Sequence, residues 1–106
     1  MSKFQLNENI FSDQPDVEPT RAGFGRGLKK AGEKSDKVVA LCADLTESVQ
    51  MHLFAEAFPE RFIEVGIAEQ NLVTVASGLA RAGKIPYVAS YAAFSPGRNW
   101  EQIKTT

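Results

Sequence analysis

The apolar residues of this chain fall into three short runs separated by longer stretches in which they recur at helical spacing. The runs are KVVALCADL at 37–45, RFIEVGI at 61–67 and the segment 85–91, and they are rich in valine, leucine and isoleucine. Continuous runs of this length are typical of strands that are buried on both faces of a parallel sheet. We therefore predict three strands, with Gly66 ending the second.

Between and around these runs, apolar residues three or four positions apart predict four helices. Thr20 is the predicted N-cap of the first helix, Pro59 ends the second and Gly83 ends the third. The predicted helices cover residues 21–35, 46–58, 68–82 and 97–106.

Strands alternating with helices predict parallel strands joined by right-handed crossovers. We expect an α/β fold with three layers, α-β-α, around a parallel sheet. Residues 1–18 are polar and carry little periodicity, so they are predicted to form a flexible N-terminal arm before a single domain at 19–106. The last helix stops after about two turns, so the domain is expected to be incomplete at its C-terminus.

Composition and charge narrow the range of partners. The net charge is −1, with acidic and basic residues mixed, which argues against nucleic acid or an anionic membrane as a partner. No apolar run approaches the ~20 residues of a membrane helix. The single cysteine, Cys42, excludes an internal disulfide, so we expect a cytoplasmic protein. Neither Cys42 nor His52 has a neighbour at metal-ligand spacing, and no metal site is predicted within the chain.

Ligands of open α/β sheets bind beyond the carboxyl ends of the strands. That rule selects the segments 43–48, 66–71 and 91–98, and Glu69 stands out because it lies in the first turn of a helix directly after a strand. A carboxylate there could simply complement the helix dipole. Amide neighbours and small apolar surroundings also suit it to hold or donate a proton. The glycine-rich segment 23–27 follows no predicted strand, so close packing explains it better than phosphate binding.

The residues FPERFIEVGIAEQN at 58–71 resemble the FP-x-RF-x-x-VGIAEQN signature of transketolases and deoxyxylulose-phosphate synthases. The resemblance extends from Thr20 to the last residue and includes ADLTES at 43–48 and SYAAFSPGRNWEQI at 90–103. It is greatest to the separately encoded C-terminal transketolase subunit of some microbes. Asn71, where the synthases usually have histidine, and the SPGRNWEQI segment favour the transketolase branch.

The resemblance implies part of a pyrimidine-binding domain. In that family thiamine diphosphate lies between this domain and a diphosphate-binding domain, usually of another chain, and a two-carbon ketol unit passes from a ketose phosphate to an aldose phosphate. A glutamate of the pyrimidine-binding domain activates the aminopyrimidine ring, and Glu69 falls on that residue. The family's Gly-Asp-Gly diphosphate motif is absent from the sequence, so the magnesium or calcium ion is expected on a partner domain.

The other site residues follow from the same resemblance. Tyr91 and Phe94 match aromatic positions against the aminopyrimidine, although each could equally belong to the core at a strand end. Arg21 and Ser48 match positions that bind sugar phosphate, where an exposed arginine and a helix-capping serine are the alternatives. Asp44 is a further substrate-binding candidate, or else an aspartate that starts a loop.

Arg98, Glu101 and Gln102 match an R-x-x-(D/E)-Q pattern that we interpret as supporting loops and interfaces. The expected partner is an N-terminal transketolase subunit or diphosphate-binding domain, in a homo-oligomer or heterotetramer. Three alternatives stay open: a deoxyxylulose-phosphate synthase fragment, a non-catalytic truncated product, and a flavodoxin-like binding module. The acids in ADLTES, which would repel a phosphate, count against the last.

Overall fold

A computed structural model describes residues 5–106 of the protein. The helices of this part of the chain are α1 (Thr20–Lys34), α2 (His52–Ala57), α3 (Glu69–Arg81) and α4 (Trp100–Thr105). Its strands are β1 (Val38–Cys42), β2 (Phe62–Glu64) and β3 (Ile85–Ala89), and a 3-10 turn at Pro59–Arg61 precedes β2.

The strands form a parallel sheet in the order β2-β1-β3. β1 is central: it pairs with β3 along its whole length and with β2 over its second half. All five residues of β1 are buried, whereas β3, which lies at the sheet edge, exposes Ile85, Tyr87 and Val88. The predicted α/β fold with a parallel sheet is confirmed.

Alternate residues of β1 enter two separate hydrophobic clusters. Val38, Ala40 and Cys42 pack with side chains of α1 and α2, while Val39 and Leu41 pack with side chains of α3. Helices therefore cover both faces of the sheet, which is the expected three-layer arrangement. Burial raises the pKa of the Cys42 thiol, consistent with its place in the core as a small hydrophobic residue.

The FPERF part of the sequence signature stabilises the junction between α1 and the sheet. The Arg61 guanidinium donates hydrogen bonds to the backbone oxygens of Gly32 (3.1 Å) and Ser35 (2.8 Å), at the end of α1. It also lies 4.0 Å from the centroid of the Phe58 ring. Arginine at a helix C-terminus satisfies carbonyls that have no intrahelical donor.

The prediction for the second helix was wrong in its first half. Residues 46–51 form hydrogen-bonded turns, and the helix begins only at His52. Gln50 has a φ of 63°, in the left-handed region that a right-handed helix excludes. The turn allows both Val49 and Met51 to be buried in the cluster beneath α1.

Smaller differences concern element ends. α1 begins at Thr20, so Pro19 and not Thr20 occupies the N-cap position. β2 ends at Glu64, two residues before Gly66, and α4 begins at Trp100. Gly83 ends α3 as expected, with a φ of 88°.

The predicted N-terminal arm has its first four residues outside the described part of the chain. Residues 5–18 contain no helix or strand and are exposed. The last of them, Glu18, forms an ion pair with Arg26 of α1. No helix within residues 5–106 is both long enough and apolar enough to cross a membrane.

Of the glycines in segment 23–27, Gly25 is the one that packing requires to lack a side chain. A Cβ atom on Gly25 would lie 2.6 Å from the backbone oxygen of Gln50, too close for the turn to keep its position. We expect Gly25→Ala to lower the free energy of unfolding by about 1–3 kcal/mol, measured by urea denaturation. Gly27→Ala is the matched control, because a Cβ there meets nothing within 4 Å, and it should stabilise α1 by about 0.5–1 kcal/mol. Equal effects of the two variants would contradict this packing.

Candidate active site

The three segments that follow the strands converge at the carboxyl end of the sheet. They line one cleft of about 300 Å³, which we call the carboxyl-end cleft. The first segment follows the central strand β1, the second follows β2 and the third follows β3. Because the strands are parallel and neighbouring, their carboxyl ends lie side by side. The lining residues are Ala43, Asp44, Leu45, Ile67, Glu69, Phe94 and Arg98.

Glu69 is the first residue of α3, and its side chain is only 3% exposed. A glutamate that only complemented a helix dipole from the surface would remain solvated, whereas a buried carboxylate is costly unless it is paired. Arg98 donates a hydrogen bond from Nη1 to Oε2 of Glu69 over 3.4 Å, and the Arg98 side chain is 55% exposed. The wall of the cleft therefore contains an ion pair between the buried Glu69 and the half-exposed Arg98.

Phe94 provides an aromatic wall of the same cleft. Its ring stacks on that of Tyr91, with the centroids 6.2 Å apart and the planes at 21°. The Arg98 guanidinium lies 5.6 Å from the centroid of the Phe94 ring. One arginine thus contacts both the buried acid and the aromatic wall.

A second cleft of about 290 Å³ adjoins this aromatic pair at Tyr91, and we call it the Arg21 cleft. It is lined by Arg21 and Ser48 together with Tyr91. Nη1 of Arg21 donates to the backbone oxygen of Ser48 at 3.4 Å. The structure thus brings Arg21 and Ser48 together in a cleft whose lining does not include Glu69.

Asp44 is placed differently from the other two substrate-binding candidates. It lines the carboxyl-end cleft with Glu69, not the Arg21 cleft. Its φ of 58° puts it in the left-handed region, which aspartate tolerates better than most residues. The predicted residues therefore divide between two neighbouring clefts.

Asn99 is a site residue that sequence reasoning missed. It is fully buried, and its Nδ2 donates to the backbone oxygen of Glu69 and to Oγ of Ser95, both at 3.0 Å. These bonds tie the turn that carries Phe94 to the first turn of α3. The only sequence signal was an asparagine at the start of the last predicted helix, where helix capping is the usual explanation.

Glu64 was also not predicted as a site residue, because it falls within the apolar run that predicts the second strand. Its carboxylate accepts hydrogen bonds from the backbone N–H groups of Asp44 and Gly66 and from the hydroxyl of Thr46. A charged residue at the end of an apolar strand was the available signal. Within residues 5–106 no group of three or more His, Cys, Asp or Glu side chains is arranged to hold a metal ion.

Comparison with known proteins shows the family to which this fold belongs. The model of the transketolase pyrimidine-binding domain matches residues 18–106. The chain therefore belongs to the transketolase family through its pyrimidine-binding domain.

Individual relatives agree with this assignment. A Methanocaldococcus jannaschii protein named as a candidate transketolase C-terminal section is 46% identical over 79% of this chain and 27% of its own length. A Dictyoglomus thermophilum 1-deoxy-D-xylulose-5-phosphate synthase is 48% identical over 76% of this chain and 13% of its own.

A solved structure described as a split-gene transketolase, an inactive β4 tetramer, superposes with a TM-score of 0.73 at 48% identity. The match covers 81% of this chain and 29% of that one. The chain thus spans less than a third of the length of these relatives.

Proposed function

We propose that this chain forms the pyrimidine-binding part of a thiamine diphosphate-dependent transketolase, with Glu69 as the residue that activates the cofactor. The observation that carries the proposal is the buried Glu69 carboxylate at the wall of a cleft where all three strand ends meet. Glutamate is rarely this buried unless it is paired or has a chemical task. Membership of the family and the preserved GIAEQN run support the same role.

The carboxyl-end cleft has the chemistry that an aminopyrimidine ring requires. Leu45, Ile67 and Phe94 provide apolar and aromatic surface for a flat ring. Among the hydrogen bonds of the described residues, the Glu69 carboxylate accepts one, at 3.4 Å, and it retains capacity for a ring nitrogen. The residues present therefore fit this half of the cofactor.

Thiamine diphosphate, when bound, supplies the carbanion chemistry that moves a two-carbon ketol unit from a ketose phosphate to an aldose phosphate. Glu69 shares a proton with ring nitrogen N1′ of the aminopyrimidine, a task for a positioned carboxylic acid. Phe94 orients the ring and excludes water from it, while Tyr91, predicted to contact the ring but lining the Arg21 cleft, supports Phe94 by stacking on it. Arg98 holds the Glu69 carboxylate in place from the cleft mouth.

We assign the sugar phosphates to the residues around the aromatic pair. The Arg21 guanidinium and the Ser48 hydroxyl both donate hydrogen bonds of the kind that phosphate oxygens accept, and they lie together in the Arg21 cleft. Asp44 contacts the substrate from the carboxyl-end cleft. The proximity of Arg21 to Ser48 supports a joint role.

The diphosphate and its magnesium or calcium ion bind to a partner, an N-terminal transketolase subunit or diphosphate-binding domain. The two transketolase relatives, named as a C-terminal section and as a split-gene product, support this division of the enzyme. We propose a homo-oligomer or heterotetramer that works in the cytoplasm.

A second candidate function is that of a 1-deoxy-D-xylulose-5-phosphate synthase, which the 48% identity to the Dictyoglomus thermophilum enzyme favours. The mass of the product separates the two functions. The chain is combined with an N-terminal transketolase subunit, thiamine diphosphate and magnesium, and is given an aldose phosphate acceptor with a ketose phosphate and pyruvate as competing donors. Ketol transfer from the ketose phosphate should yield a new ketose phosphate that keeps its C1 hydroxyl. A product lighter by one oxygen atom, formed with release of CO2 from pyruvate, would instead establish the synthase.

A further inference from the structure

We propose that Glu64 is a positioning residue that joins the two loops forming one side of the carboxyl-end cleft. This inference rests on the proposed function, since it assigns to Glu64 the shape of the thiamine diphosphate site. Glu64 itself does not line the cleft.

The geometry of the Glu64 carboxylate connects both loops. Oε1 accepts hydrogen bonds from the backbone N–H of Asp44 at 2.7 Å and from that of Gly66 at 2.8 Å. Oε2 accepts from the hydroxyl of Thr46 at 3.1 Å. Asp44 and Thr46 belong to the loop after β1, and Gly66 belongs to the loop after β2.

The two backbone donors are residues with unusual conformation. Asp44 has a φ of 58° and Gly66 a φ of 71°, both in the left-handed region. Aspartate tolerates this conformation better than most residues, but it is still less favourable than a right-handed one, so contacts that fix it stabilise the turn. A single carboxylate oxygen fixes both turns, and hydrogen bonds to an ionised acceptor are stronger than neutral ones.

The same loops carry the walls of the cleft. Asp44 lies in the first turn and Leu45 follows it, while Ile67 follows the second turn at Gly66 and leads to Glu69. Loosening either turn would therefore move an apolar wall relative to Glu69. Glu64 thus acts on the cofactor through the loops and not by contact.

The first test measures backbone amide exchange by NMR in this chain, without any cofactor. Glu64→Gln should accelerate exchange at Asp44 and Gly66 by about tenfold, because the charged acceptor of both N–H groups is lost. Glu56→Gln, which changes an exposed carboxylate on α2, should leave both amides unchanged. Equal rates in wild type and Glu64→Gln would overturn the proposal.

The second test measures thiamine diphosphate affinity in the complex with an N-terminal transketolase subunit. Glu64→Gln should weaken binding about three- to tenfold relative to Glu56→Gln. Absence of cofactor binding by the wild-type complex would instead contradict the proposed function, so the two failures are distinguishable.

Two milder variants keep the proposal testable if Glu64→Gln fails to fold. Thr46→Val removes only the hydroxyl bond to Oε2 and should weaken cofactor binding less than Glu64→Gln. Asp44→Gly removes the conformational cost of the left-handed backbone at position 44. The acceleration of Gly66 amide exchange by Glu64→Gln should therefore be smaller in the Asp44→Gly background than in the wild type. The role of Glu64 would be overturned if the effects of Glu64→Gln and Asp44→Gly on Gly66 amide exchange were additive and Thr46→Val left the cofactor affinity unchanged.

Discussion

Glu69→Gln should reduce ketol transfer by at least about 100-fold when the chain works with a diphosphate-binding partner. Glutamine keeps the size of the side chain but cannot share a proton with the aminopyrimidine nitrogen. Because the substitution preserves volume at a site that is 3% exposed, the fold should remain intact. Steady-state rates together with the circular dichroism of the purified variant measure the two effects separately.

The control for this experiment is Glu33→Gln, which changes an exposed carboxylate on α1. It should retain wild-type activity. Activity of Glu69→Gln close to that of the control would refute the catalytic assignment of Glu69.

Phe94→Ala should weaken thiamine diphosphate binding by about tenfold or more, since the ring provides an apolar wall of the cleft and stacks on Tyr91. Phe94→Leu, which keeps apolar volume, should recover part of the affinity. The affinities are measured by calorimetry in the complex with the partner subunit.

Phe11→Ala is the matched control, because Phe11 is 91% exposed and lies in the N-terminal segment. It should bind cofactor like the wild type. An unchanged affinity of Phe94→Ala would remove Phe94 from the cofactor site and leave it as a support for Tyr91.

The sequence predicted those parts of the fold that depend on local pattern. The apolar run around β1 predicted a strand buried on both faces, and Gly83 marked the end of α3. The helix predicted over 46–58 was wrong at 46–51, because the apolar residues there have helical spacing although they form a turn. The left-handed Gln50 interrupts that helix, and only the contact with Gly25 of α1 shows why the turn lies there.

The candidate site was predictable where residues follow strands and not where distant residues meet. The strand-end rule selected the segments that contain Glu69, Phe94 and Asp44, the family resemblance singled out Phe94 and Asp44 within them, and the three residues share one cleft. Asn99 reaches Glu69 across 30 positions of the chain, and Glu64 reaches Asp44 across 20. Side-chain bonds to a distant backbone leave no periodic signal, so sequence patterns cannot reveal them.

The most direct test of the central claim is a calorimetric titration of thiamine diphosphate with magnesium into this chain, alone and together with an N-terminal transketolase subunit. Saturable binding is expected in the mixture and none to the chain alone, because the chain provides the ring site and the partner provides the diphosphate site. Absence of binding in the mixture, with both proteins folded, would contradict the claim that the carboxyl-end cleft is half of a cofactor site.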